Sequence, residues 1–283
     1  MTKLVVPTAP PVPDLLDAAL GAARAGGRAI LGHYGRPAPH RTKADDSPLT
    51  LADLAAHRAV VEALEAATPG VPVLSEESGE EAFAARRSWS RYWCVDPLDG
   101  TKEFLRATTG EFTVNVALID DGAPVLGVVH APVQDVTYSA SDGLARKQVG
   151  DGAAVRIATR PAPDAALTVV ASRDHAGPEV STFLARAEAD GRAVESASLG
   201  SSLKFCLVAE GTADVYPRTV PTFEWDTAAA QAVVEAAGGG VSTRDGRRLR
   251  YNKPDLRNPS VVAWGDPALD WRRWLGPGPV ETG

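Results

Sequence analysis

The run Cys94-Val95-Asp96-Pro97-Leu98-Asp99-Gly100-Thr101-Lys102-Glu103-Phe104 constrains this chain more than any other stretch. It continues an apolar segment, Tyr92-Trp93-Cys94-Val95, that reads as a short buried strand. Two carboxylates then flank a Pro-Leu step. Pro97 fixes its own φ and biases Asp96 toward an extended backbone, so the turn is stiff before anything binds. Gly100 lets the backbone approach a ligand closely. Carboxylates, a peptide carbonyl and the Thr101 hydroxyl at one strand end make an oxygen-only nest. Such a nest suits Mg²⁺, and phosphate is the substrate group that usually accompanies that ion. Asp-Pro and Asp-Gly also form ordinary solvated turns, so the rest of the chain has to decide between the two readings.

The composition narrows the function class. A length of 283 residues suits one large unit or two closely packed subdomains. The formal net charge is −7 with no basic run, which argues against nucleic acid or an anionic membrane surface as partner. An acidic protein that takes a phosphorylated ligand needs a mediating cation. The only cysteines, Cys94 and Cys206, sit in apolar runs and read as buried free thiols, in keeping with a reducing cytoplasm. The first residues lack the apolar core of a signal peptide, and no later run reaches transmembrane length. The expectation is a soluble cytoplasmic protein without membrane insertion.

Along the chain, residues 1–13 form a Pro-rich lead-in, and Asp14 caps an amphipathic helix expected over 14–34, weakened by Gly26-Gly27. A polar loop is expected over 35–48. Thr50 and Asp53 have the spacing of a capping box at the start of a second helix, so capping alone explains Asp53. A strand at 71–74 ends in Ser75-Glu76-Glu77-Ser78. After the central run, alternation predicts an antiparallel meander through 112–119, 125–130, 133–139 and 144–149. The composition breaks at Pro161–Pro163, which divides an N-terminal α+β subdomain, 14–160, from a C-terminal α/β subdomain, 161–283. The second part alternates: strand 167–172, helix 178–189, strand 193–198, helix 201–210, strand 213–216, helix 227–237 and a last strand at 260–264. Trp225-Asp226 opens the last of these helices, where Asp226 alone reads as an N-cap.

Asp53, Glu76, the Asp96/Asp99 turn and Asp226 together supply enough acidic oxygens for two or three Mg²⁺ ions, about 3.5–4 Å apart as in two-metal phosphoryl hydrolysis. Glu76-Glu77-Ser78, Asp96-Pro97-Leu98-Asp99-Gly100-Thr101 and Trp225-Asp226-Thr227-Ala228-Ala229-Ala230 resemble, in order and spacing, the motifs of the inositol monophosphatase superfamily. The resemblance runs from about residue 14 to about residue 264 and implies a layered αβαβα sandwich with a Mg²⁺-dependent, lithium-sensitive phosphatase site.

Within the superfamily the chain looks most like the 3′(2′),5′-bisphosphate nucleotidases of CysQ type. That likeness is carried by Asp46-Ser47-Pro48-Leu49-Thr50-Leu51-Ala52-Asp53, by Lys102-Glu103-Phe104, by Gly200-Ser201-Ser202-Leu203-Lys204-Phe205-Cys206 and by Ala213–Arg218. Two departures are Asp174, where serine is more usual, and Ala230, where glycine is common. The implied metal ligands are Glu76, Asp96, the Leu98 carbonyl, Asp99 and Asp226. Asp53 and Thr101 would position and deprotonate the attacking water, and the Gly100 and Thr101 N–H groups would hold phosphate oxygens. Ser201, Lys204, Arg218 and His175 would take the nucleotide.

The implied reaction splits 3′-phosphoadenosine 5′-phosphate into AMP and phosphate. Inositol phosphate, fructose 1,6-bisphosphate and histidinol phosphate remain alternatives on the same metal site, as does a non-catalytic metabolite-binding relative. A homodimer is one oligomeric state open to such a chain.

Overall fold

The computed structural model describes residues 12–36, 40–42, 48–171 and 178–275. The chain begins with α1 (Val12–Leu31). The helix runs unbroken through Gly26-Gly27. A Cβ at Gly26 would come within 2.7 Å of Val60, and one at Gly27 within 2.8 Å of the His130 ring. The glycine pair is therefore the place where α1 presses against its neighbours, and close packing offsets its low helix propensity. The segment 35–48, expected to be loop, instead contains β1 (His40–Thr42), which pairs antiparallel with β2 (Pro48–Thr50) at its end.

Next come α2 (Leu51–Ala67), β3 (Val73–Ser75), α3 (Glu80–Ala85) and the nine-residue β4 (Arg91–Asp99). The short helix α4 (Thr101–Arg106) follows Gly100 at once, with Gly100 in the left-handed region at φ 93°. A meander completes the first sheet: β5 (Thr113–Asp120), β6 (Ala123–Ala131), β7 (Val136–Ser141), β8 (Leu144–Val149) and the short β9 (Val155–Arg156). These strands lie in sequence order from β3 to β9, and only the β3–β4 pair is parallel.

The later residues give β10 (Ala166–Ala171), α5 (Pro178–Ala189), β11 (Ala193–Ser198), α6 (Leu203–Ala209) and β12 (Val215–Arg218). They continue with β13 (Thr222–Phe223), α7 (Glu224–Ala236), β14 (Gly240–Thr243), β15 (Arg257–Asn258) and β16 (Val261–Trp264). The second sheet has the order β11-β10-β12-β16-β14, and β13 pairs with β15 separately.

The layers follow from the three apolar clusters. Leu15, Ala19 and Ile30 of α1 and Ala56, Val60 and Leu64 of α2 bury against Trp93, Val116 and Val128 on one face of the first sheet. The opposite face, with Tyr92, Ala117 and Val129, packs on Phe205 of α6 and on Ala228, Ala229 and Val233 of α7. Tyr216, Val241 and Ala263 of the second sheet close this middle layer from the other side. Phe183 of α5 and Trp271 and Trp274 then cover the outer face of the second sheet. The result is the expected αβαβα sandwich. Contact in its middle is close: a Cβ at Gly127 of β6 would stand 2.3 Å from the Ala229 carbonyl of α7. That approach seats α7, and Asp226 on its first turn, over β4, the strand that carries both Asp96 and Asp99.

Candidate metal and phosphate site

Asp96 and Asp99 are three residues apart, a spacing that would send them to opposite faces of a regular strand. The ladder shows why they converge. Asp96 pairs with Asn115 and Asp99 with Thr113, so three steps on β4 match two on β5. The irregularity falls at Pro97-Leu98, where the proline has no N–H to give to the ladder. Asp96 Oδ1 also accepts the Leu98 N–H at 3.0 Å, which fixes the turn from within.

Asp226 arrives from α7. It is the third residue of the helix, and its Oδ2 accepts the Phe223 N–H at 2.7 Å. The helix thus begins at Glu224, three residues earlier than residue 227, and Asp226 caps it from inside instead of standing at the N-cap position. Ligand oxygens of Asp96, Asp99 and Asp226 all lie within 4.8 Å of one another. Glu76, at the end of β3, stands beside this group; its N–H bonds the Val95 carbonyl at 3.0 Å and its charge acts on Asp96.

The three carboxylates repel one another. Burial holds the Asp96 carboxyl well above the usual carboxylate range, and the charges of Glu76, Asp99 and Asp226 add to it. Burial pushes Asp226 up to about 6, with Asp99 contributing, while the Phe223 N–H and Arg218 pull the other way. Among the described residues no Lys or Arg hydrogen-bonds or ion-pairs with Asp96, Asp99 or Asp226. A compact all-oxygen set, with Asp96 buried and Asp99 and Asp226 half-buried, and with no such basic partner among the described residues, fits a hard divalent cation, which would supply positive charge.

Asp99 is the most tightly held of the three. Its Oδ2 accepts the Ser202 N–H at 2.6 Å, the Ser202 hydroxyl at 2.6 Å, the Asn115 amide at 3.3 Å and the Thr113 hydroxyl at 3.4 Å. Ser202 and Asn115 escaped the sequence reading, because nothing in their local spacing marks a partner 103 or 16 residues away. The other oxygen of Asp99 is thereby left for the cluster.

Asp53 caps α2 as its spacing predicts: its Oδ2 accepts the Thr50 N–H at 2.7 Å and the Thr50 hydroxyl at 2.6 Å. It also does more. Its Oδ1 accepts the Thr101 hydroxyl at 3.2 Å, and the same hydroxyl lies 3.2 Å from the Leu98 carbonyl.

The residues expected to take the nucleotide gather around the start of α6 and the end of β12. Ser201 has a left-handed backbone, φ 49°, and its buried Oγ has no hydrogen-bond partner among the described residues. Lys204 is 6% exposed, donates to the Leu199 carbonyl at 3.1 Å and lies 5.8 Å from the Tyr216 ring centre. Arg218, half-buried at the end of β12, acts on the charge of Asp226. His175, with its neighbours 172–174, and the loop residues 43–47 lie outside the described residues. Cys94 and Cys206 are both buried free thiols.

Comparison with known proteins places this geometry. The inositol monophosphatase family profile matches residues 13–271. The chain belongs to that family. A 3′(2′),5′-bisphosphate nucleotidase CysQ from Escherichia coli (strain K12) is 48% identical over 251 residues, covering 87% of this chain and 97% of the relative. The protein of the same name from Haemophilus influenzae is 35% identical, over 91% of this chain and 95% of its own. Among solved structures, CysQ from Bacteroides thetaiotaomicron superposes with a TM-score of 0.77 at 43% identity, covering 89% of this chain and 97% of that one. The suhB protein of Bartonella henselae gives 0.74 at 25% identity, over 94% and 99%. The family is one of metal-dependent phosphatases, and the acid cluster lies within the matched residues. Among the described residues no helix is long and apolar enough to cross a membrane.

Proposed function

We propose that this protein is a Mg²⁺-dependent 3′(2′),5′-bisphosphate nucleotidase that removes the 3′-phosphate of 3′-phosphoadenosine 5′-phosphate, releasing AMP and phosphate in the cytoplasm. The observation that carries this reading is the convergence of Asp96, Asp99 and Asp226 within 4.8 Å of one another, in a chain that matches relatives named for that activity over nearly their whole length. Two or three ions would be held by Glu76, Asp96, the Leu98 carbonyl, Asp99 and Asp226. When bound, the ions neutralise phosphoryl and leaving-group oxygens and make water easier to deprotonate.

The chain's own residues supply the rest. The Thr101 hydroxyl donates a hydrogen bond to Asp53 Oδ1; as its proton passes to that carboxylate, the hydroxyl oxygen takes one from a water beside it. Asp53 is held by Thr50 through its other oxygen, so it is aimed before substrate arrives. The water oxygen then adds to phosphorus in line with the departing 3′-oxygen, the P–O bond to the ribose breaks, and that oxygen takes a proton from a solvent water as AMP forms. The N–H groups of Gly100 and Thr101 meet the phosphoryl oxygens. Ser201, Lys204, Arg218 and His175 take the remainder of the nucleotide, with the Lys204 and Arg218 cations offering charge to the 5′-phosphate.

The test is phosphate release by Asp99→Asn. Turnover falls by orders of magnitude while far-UV circular dichroism stays native; near-normal rates would remove the acid cluster from the reaction.

A further inference from the structure

Outside the acid cluster, the carboxylate of Glu224 is buried and accepts several hydrogen bonds. The residue is 0% exposed and opens α7, two positions before Asp226. Oε1 accepts the Lys253 N–H at 2.9 Å and the Lys253 ammonium at 2.7 Å; Oε2 accepts the Asn252 N–H at 2.7 Å and lies 3.4 Å from the Tyr92 hydroxyl. A buried charge is tolerated only when it is paired and its lone pairs are filled, and Glu224 meets both conditions.

Each partner leads to a segment that carries part of the cluster. Tyr92 lies on β4, four residues before Asp96. Asn252, in a left-handed backbone at φ 61°, gives its amide to the carbonyls of Arg86 and Trp89, both at 3.0 Å, and accepts from the buried Arg86 guanidinium at 2.8 Å. Arg86 belongs to the stretch that leaves Glu76 and returns to β4. Lys253 also reaches Asn258 at 3.1 Å, and Asn258 donates to the Phe223 carbonyl at 2.6 Å, beside the N–H that orients Asp226.

We propose that Glu224 is a positioning residue for the acid cluster: through Tyr92, Asn252 and Lys253 it sets where β4, the Glu76–Arg86 stretch and the first turn of α7 stand relative to one another. It touches neither substrate nor ion and acts through Asp96, Glu76 and Asp226. The inference rests on the metal-dependent reading of the site. Loss of an outer partner that orients metal ligands costs about 10- to 100-fold in metal affinity, which sets the expected size of the effect.

The experiment titrates Mn²⁺ alone, without substrate, into wild type, Glu224→Gln and Asn252→Gly, following the bound ion by electron paramagnetic resonance below each variant's Tm. Asn252→Gly keeps the backbone N–H and the left-handed backbone but cuts the tie to Arg86, so it decides the matter if Glu224→Gln does not fold. Both folded variants should bind Mn²⁺ at least about tenfold more weakly. At saturating metal their KM for the bisphosphate nucleotide should stay near that of wild type. A purely structural residue would lower Tm and leave the Mn²⁺ affinity of the folded protein alone. Wild-type affinity in both folded variants overturns the proposal. Failure of wild type itself to bind Mn²⁺ would instead overturn the metal reading on which it rests.

Discussion

Thr101 donates its hydroxyl to Asp53 across 3.2 Å, joining the start of α4 to the first turn of α2 over a sequence distance of 48 residues. The contact gives Asp53 a role that capping does not require, and it is the step at which proton transfer can be separated from fold. Asparagine at position 53 still offers an oxygen to the Thr50 N–H but takes up a proton poorly. Asp53→Asn should lower kcat by about 10²- to 10⁴-fold with little change in KM or Tm, the size expected for a lost general base. Steady-state kinetics beside a thermal melt checks this; a lowered Tm with normal kcat would return Asp53 to capping alone.

On the proposed reading, proton and cation compete for the same oxygens. Asp96 is held well above the usual range, and Asp226 is pushed up to about 6. Without metal, the folded chain therefore keeps protons that the unfolded chain has released above about pH 4. This contribution to stability is full below that pH and is lost as pH rises through about 6. In EDTA the Tm should fall between about pH 5 and about pH 7.5, and added Mg²⁺ should raise it more at the higher pH, where the ligands are already deprotonated. Scanning calorimetry at the two pH values reads both effects. An equal Mg²⁺ shift at both would mean that these carboxylates do not take up the ion.

The Lys204 ammonium donates to the Leu199 carbonyl and lies over the Tyr216 ring. If its ammonium turns to the 5′-phosphate, Lys204→Ala should raise KM for the bisphosphate nucleotide by about 10- to 100-fold, the loss expected for one charge-assisted contact. KM for a nucleoside monophosphate without that phosphate should barely move. Equal changes with both substrates would take Lys204 away from the second phosphate.

Much of the site could be read from residue order, because Asp96, Leu98, Asp99, Gly100 and Thr101 lie on one strand end and one turn. The capping box at Thr50 and Asp53 was legible for the same reason, as its bonds span three residues. Helix α5 and strand β11 also match their expected limits. What stayed hidden depends on distant partners. Gly26-Gly27 reads as a weak point until Val60 and His130 are seen against it. The start of α7 is displaced because Asp226 caps from the third helical position, a geometry that a single carboxylate does not announce. Ser202 and Glu224 look like ordinary polar residues, and their partners on β4 lie 103 and 132 residues away.

The central claim is a metal-dependent phosphatase with a nucleotide pocket. Its most direct test is phosphate release from 3′-phosphoadenosine 5′-phosphate, inositol 1-phosphate and fructose 1,6-bisphosphate side by side, with Mg²⁺ and with Li⁺ added. The account predicts a clear preference for the nucleotide that depends on Mg²⁺ and is lost with Li⁺. Preference for either sugar phosphate would contradict the pocket assigned to Ser201, Lys204 and Arg218, and turnover of none of them would contradict the catalytic reading itself.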